Sequence, residues 1–162
     1  HAAAVPARLR RRAGVDDQGG DVKTWTCAIP GEPIGKGRPR AATIGGRARM
    51  YTPGKTQRWE AYAAATLALG WVHDPLRCPV RVTVEAVFSR PQGKVWKTKP
   101  MLRYPHVARP DADNVGKAVC DSLEKAGVLH NDSTAWALTV HKWVAAGHEQ
   151  PHVRVTVMWG DE

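Results

Sequence analysis

The chain has 162 residues, enough for one domain with a sizeable core, and its 43% apolar and 24% charged residues are those of a globular protein. Its 24 Lys and Arg against 15 Asp and Glu leave a formal net charge of +9, which points to a polyanionic partner, either nucleic acid or an anionic surface. No apolar run approaches the roughly 20 residues that a membrane span requires, and Cys27, Cys78 and Cys120 form neither a CxxC pair nor a zinc-ligand spacing, so they read as small buried hydrophobes in a reducing cytoplasm.

Residues 1–22 stand apart as a basic amino-terminal tail, with the folded domain expected over 23–162. The opening HAAAVPARLRRRAGVDDQGG lacks apolar periodicity, and its Arg-rich run reads as a frayed tail, with a transit-like or nucleic-acid-binding arm as the alternative. A short strand, TWTCAIPG, leads into GEPIGKGRPRAATIGGRARMYTP. There Gly35, Gly37, Gly45 and Gly46, with Pro39 and Pro53, predict a loop or an irregular hairpin. It carries Lys36, Arg38, Arg40, Arg47 and Arg49, which are candidate phosphate contacts.

Residues 55–69, KTQRWEAYAAATLAL, predict an Ala-rich helix in which Trp59, Tyr62, Ala63 and Thr66 fall at helical spacing, with Gly70 as its stop. VRVTVEAVF (80–88) alternates strictly, so Val80, Val82, Val84, Ala86 and Phe88 share one face of a half-buried strand. A long loop is expected from Arg90 to Pro105, interleaving Lys94, Lys97 and Lys99 with Trp96, which either stacks on an unpaired base or packs on the domain. A second helix is predicted over 114–126, with Val115, Val119 and Leu123 inward and Gly127 closing it. Residues 135–144 and 152–159 give two more strands, expected to be antiparallel neighbours through a turn at Gly147. The expected fold class is therefore α+β: a mixed, largely antiparallel sheet with two main helices over one face.

The stretch RPDADNVGK (109–117) concentrates acidic and amide side chains in a basic chain. On extended backbone Asp111 and Asp113 would point the same way, and Pro110 holds Arg109 extended. Asp113 or Asn114 also makes a good helix N-cap, which offers a purely structural reason for the motif. One acid would suffice for that, and two carboxylates facing the same way repel unless a cation or proton lies between them. Lys117 is four residues beyond Asp113, on the same helix face. A helix of this length, followed by an extended VLHND, can return Asp132 towards the helix start. Three carboxylates and a lysine in a basic chain suit a Mg²⁺-assisted phosphodiester cleavage.

The 25-residue segment RPDADNVGKAVCDSLEKAGVLHNDS (109–133) resembles the signature of the RusA family of Holliday junction resolvases, D-x-D-N-x-x-K followed by an apolar helix, a glycine and an acidic pair. With the basic Gly/Pro-rich segment upstream, the resemblance extends over about residues 23–160. It implies a homodimeric, Mg²⁺-dependent endonuclease, with Mn²⁺ as a substitute, that cuts opposed strands of a four-way DNA junction during recombination and repair in a bacterial or phage-infected cell. By position it implies Asp111, Asp113 and Asp132 as metal-binding carboxylates and Lys117 as the catalytic-site lysine; on such a nuclease, Lys36, Arg38, Arg40, Arg47, Arg49 and Arg109 are the candidate DNA contacts. The chain departs from the pattern at Asn131-Asp132, where only one carboxylate of the acidic pair is kept, and at Thr134-Ala135 in place of Gln-Val. A non-catalytic junction-binding module and a nuclease for other branched DNA stay open beside this reading.

Overall fold

A computed structural model describes residues 21–37, 40–51 and 53–160. The amino-terminal tail up to residue 20 and Arg38 lie outside the described residues. The strands and helices follow in the order β1 (Lys23–Pro30), β2 (Arg40–Ile44), β3 (Arg47–Tyr51), α1 (Gly54–Gly70), β4 (Val80–Phe88), β5 (Tyr104–Pro105), α2 (Ala112–Lys125), β6 (Ala135–Val144) and β7 (His152–Trp159).

The strictly alternating segment becomes the middle strand. In the five-stranded sheet the order is β1-β7-β4-β6-β5, with β4 antiparallel to β7 and parallel to β6. Val80, Val82, Val84, Ala86 and Phe88 are all buried on the helix side, as their spacing predicts. The expectation that β6 and β7 are hairpin neighbours is overturned, because β4 lies between them. Val87 is buried as well as Ala86 and Phe88, so β4 is apolar on both faces near its end and takes a position flanked on both edges. Residues 145–151 are enough to pass over that end, where the Ala145 N–H bonds the Phe88 carbonyl at 2.8 Å.

Both helices cover one face of the sheet. Helix α1 buries Thr56, Trp59, Glu60, Ala63 and Leu67. Tyr62 is 48% exposed, since it stands about 100° round the helix from Ala63, off the stripe that Trp59, Ala63 and Leu67 define. Helix α2 begins two residues earlier than its pattern suggests and buries Val115, Val119 and Leu123 completely. Burial of one such side chain contributes roughly 1.5–3 kcal/mol, against about 0.3–0.5 kcal/mol for an ion pair four residues apart on a helix surface. Packing therefore places α2, and its exposed first turn is left to other work.

The basic segment forms a separate two-stranded hairpin, β2–β3, in which Ile44 faces Arg47 across Gly45 and Gly46. Both glycines have positive φ, 60° and 77°, the geometry that two-residue hairpin turns demand. The stretch after β4 is not wholly loop: it contains a single 3-10 turn at Gln92–Lys94 and the short β5, which pairs with the end of β6.

Candidate active site

The acidic motif sits where the chain enters α2. Asp111 is the N-cap residue with extended backbone, φ −69° and ψ 153°, and Asp113 is in the first helical turn. This corrects two expectations. The cap is Asp111 rather than Asp113 or Asn114, and it makes no side-chain capping bond. Asp111 and Asp113 are also not two apart on a strand, because α2 already begins at Ala112. Their carboxylates instead flank one helix N-terminus, whose dipole favours negative charge.

Asp111, Asp113 and Lys117 are exposed, and among the described residues no hydrogen bond or ion pair engages their side chains. Lys117 stays on the Asp113 side of α2, as the spacing requires. Arg109 is exposed and joined to Pro110 by a cis peptide bond.

The root of the basic segment is stitched to this motif. The Lys36 N–H bonds the Asn114 carbonyl at 2.8 Å. Gly35 lies so close that a Cβ placed there would stand 2.6 Å from the Pro110 Cβ, which is why the position has no side chain. The Lys36 ammonium bonds Glu60 Oε1 at 2.7 Å and also Asp121, while Lys125 holds the other oxygen of Glu60. Burial alone would lower the Lys36 ammonium, but the bonds to Asp121 and Glu60 hold it above the usual lysine range. Lys36 thus differs from the other candidate cations: its charge serves a carboxylate that is only 1% exposed. Glu60 carries no motif of its own, but helical spacing places it beside Trp59 and Ala63 on the inward side of α1.

Arg47 and Arg49 are exposed and two apart on β3, so they project from one side of the hairpin. Arg40 pairs with Tyr51 across the same hairpin.

Asp132 opens a 3-10 turn capped by the Asn131 side chain, which accepts the Ser133 N–H at 2.9 Å. Its own N–H bonds a Glu124 carboxylate oxygen at 3.1 Å. Burial pushes the Cys120 thiol up to about 11, and the charges of Asp121 and Asp132 add to the shift. Asp132 therefore lies on the side of α2 that carries Cys120 and Glu124. Glu124 was not singled out in the sequence, although eleven residues bring it back to the Asp113 side after about three turns.

Among the described residues, no group of three or more His, Cys, Asp or Glu side chains is arranged to hold a metal ion. The donor chemistry at the start of α2 nevertheless suits a hard divalent cation: Asp111 and Asp113 offer free carboxylate oxygens at the surface, and Mg²⁺ is commonly held by one or two carboxylates, water and substrate phosphate. No helix among the described residues is long and apolar enough to cross a membrane.

Comparison with known proteins bears on this site. A family model described as endodeoxyribonuclease RusA matches residues 30–158, which include the basic hairpin, both helices and the candidate aspartates Asp111, Asp113 and Asp132. The chain is also similar to the uncharacterized protein YqaN of Bacillus subtilis (strain 168), with 29% identity over 135 residues, covering 80% of this chain and 92% of that protein.

Proposed function

The chain belongs to the RusA endodeoxyribonuclease family, and from that premise we propose that it is a Mg²⁺-dependent homodimeric nuclease resolving four-way (Holliday) DNA junctions by paired cuts. One contrast carries the reading. The acids that serve the fold are all paired, Glu60 and Asp121 with lysines and Glu149 with Arg103, whereas Asp111 and Asp113 are exposed and unpaired among the described residues. A basic protein that leaves two carboxylates open at one helix start gains nothing in DNA affinity from them unless a cation bridges them to the phosphate.

Asp111 and Asp113 are the residues that would hold Mg²⁺, or Mn²⁺ in its place. Asp132 is assigned the third acidic role by family resemblance. A divalent ion held by these carboxylates would supply charge neutralisation at the scissile phosphate and a water of lowered pKa. Lys117, one turn into the helix, directs an ammonium to a non-bridging oxygen of the same phosphate or to the departing oxygen. Arg38, Arg40, Arg47, Arg49 and Arg109 hold neighbouring phosphates and fix the strand in register without reading its bases. Two copies related by a two-fold axis match the pseudo-symmetry of a four-way junction, so that two opposed strands meet two equivalent sites.

The test is a side-by-side cleavage series of synthetic four-way junction, fork, flap and linear duplex in Mg²⁺. The junction should be cut preferentially. Asp113→Asn should lose at least about 100-fold in rate while still binding the junction, since even outer-shell metal partners are worth 10–100-fold. Asp132→Asn tests the third carboxylate in the same way. An Asp113→Asn protein that cuts as fast as wild type places the chemistry elsewhere. Binding without cleavage by the wild type, in Mg²⁺ and in Mn²⁺, would make the protein a junction-binding module, and preferential cutting of forks or flaps would change the substrate.

A further inference from the structure

The segment that delivers Asp111 is held at its start by the His106 ring, stacked on Phe88 with centroids 4.0 Å apart, and at its end by Gly35 against Pro110, but is open between. After β5, residues 106–110 read HVARP: Val107 is 94% exposed and Arg109 is exposed. Pro105 and Pro110 have no N–H to give to a neighbouring strand. The pairing of β5 with β6 ends at Pro105↔Trp143.

Lys142, the next residue back along β6, holds the segment from His106 to Pro110. Its carbonyl accepts the His106 N–H at 2.9 Å. Its Nζ donates to the carbonyl oxygen of Ala108 at 2.7 Å and to that of Pro110 at 2.6 Å. The Pro110 carbonyl belongs to the peptide that ends at the Asp111 nitrogen, so the clamp closes one peptide unit from the first carboxylate. One strand residue thus fixes the approach at three points. Hydrogen bonds from a charged donor contribute more than neutral ones, and their direction fixes the peptide plane.

We propose that Lys142 is a positioning residue for the metal site: through the carbonyls of Ala108 and Pro110 it sets where Asp111 stands relative to Asp113. This rests on the reading of Asp111 as a metal ligand and adds a residue that the acidic motif does not contain. The spacing of a lysine ammonium between two carbonyls is not reproduced by a planar guanidinium, so arginine should restore the charge and only part of the function.

The experiment uses the full chain with Lys142→Met, Lys142→Arg and Asp111→Asn. Free Mn²⁺ is counted directly by electron paramagnetic resonance, junction affinity is measured in EDTA, and hydrogen exchange is followed along the chain. Lys142→Met should weaken Mn²⁺ binding about 10–100-fold, the range for residues that orient metal ligands. It should raise the Mg²⁺ needed for half-maximal cleavage in step, leave metal-free junction affinity within about twofold, and speed exchange locally over residues 106–114. Lys142→Arg should fall between it and wild type. If Lys142→Met binds Mn²⁺ like wild type while Asp111→Asn has lost it, the positioning role is refuted and the metal site stands. If exchange quickens equally throughout the sheet, Lys142 is only a support of the fold and the inference is again refuted. If wild type binds no Mn²⁺, or Asp111→Asn binds it unchanged, the metal-site reading falls and the clamp falls with it.

Discussion

Lys36 and Arg47 look alike in the sequence, as two cations of one Gly/Pro-rich segment, and the structure gives them different physics. Lys36 is drawn inward by Glu60, a carboxylate that burial would make prohibitively costly without a partner. Arg47 and Arg49 stay in water on β3. Lys36→Met should therefore destabilise the fold by about 1–3 kcal/mol in urea unfolding, less than for breaking a wholly buried pair because Lys36 is 24% exposed and Lys125 still holds Glu60. The dependence of junction affinity on salt should hardly move in that variant. Arg47→Ala and Arg49→Ala should do the reverse, each leaving stability within about 0.5 kcal/mol and lowering the salt slope by about 1. Equal effects of all three variants on the slope would return Lys36 to the DNA-binding set. This distinction was not legible in the sequence, because Glu60 is 24 positions away and only folding brings it to Lys36. The acidic motif itself was legible from local spacing, but its geometry was not: the helix starts at Ala112, so the strand alternation expected for Asp111 and Asp113 never forms.

At the scale of elements, strict periodicity was the reliable guide. The alternation of 80–88 and the Val115, Val119, Leu123 stripe became β4 and α2 with the expected faces buried. Strand partners were not readable, since β6 and β7 are each complete strands whose common neighbour, β4, precedes both by many residues. The stretch between β4 and β5, expected as a long basic loop, is held by two arginines. Arg90 donates to the carbonyls of Ala145 and Leu102, and Arg103 makes a forked pair with Glu149. These hold the segment of Lys94, Trp96, Lys97 and Lys99, where Trp96 is 45% exposed and Lys94 lies 5.0 Å over the Tyr104 ring. The hydrogen bonds from Arg103 hold the Glu149 carboxyl down at about 2, against an ordinary 4.5. A carboxylate whose folded pKa is depressed contributes stability above its unfolded pKa and loses it as pH falls through the folded value. Glu149→Gln should therefore melt below wild type at neutral pH, and the gap should close between about pH 4.5 and pH 2. A gap that is constant across that range would show that the pair does not hold the segment.

Across the whole molecule, the charge of +9 is not spread evenly in purpose. Lysines 36, 125 and 142 and arginines 90 and 103 are bound to the protein's own acids and carbonyls, while Arg47, Arg49 and Arg109 face solvent. The internal cations organise the helix pair, the approach to Asp111 and the segment after β4. The outer ones are exposed, and the family match from residue 30 to 158 spans both sets. The central claim, that this arrangement makes paired phosphodiester cuts through Asp111 and Asp113, is tested most directly by mapping the cleavage positions on all four strands of an immobile four-way junction in Mg²⁺. The account predicts cuts in two opposed strands at symmetry-related positions, absent in EDTA and absent with Asp113→Asn. Unpaired cuts scattered over all strands, or symmetrical cuts that persist with Asp113→Asn, would contradict it.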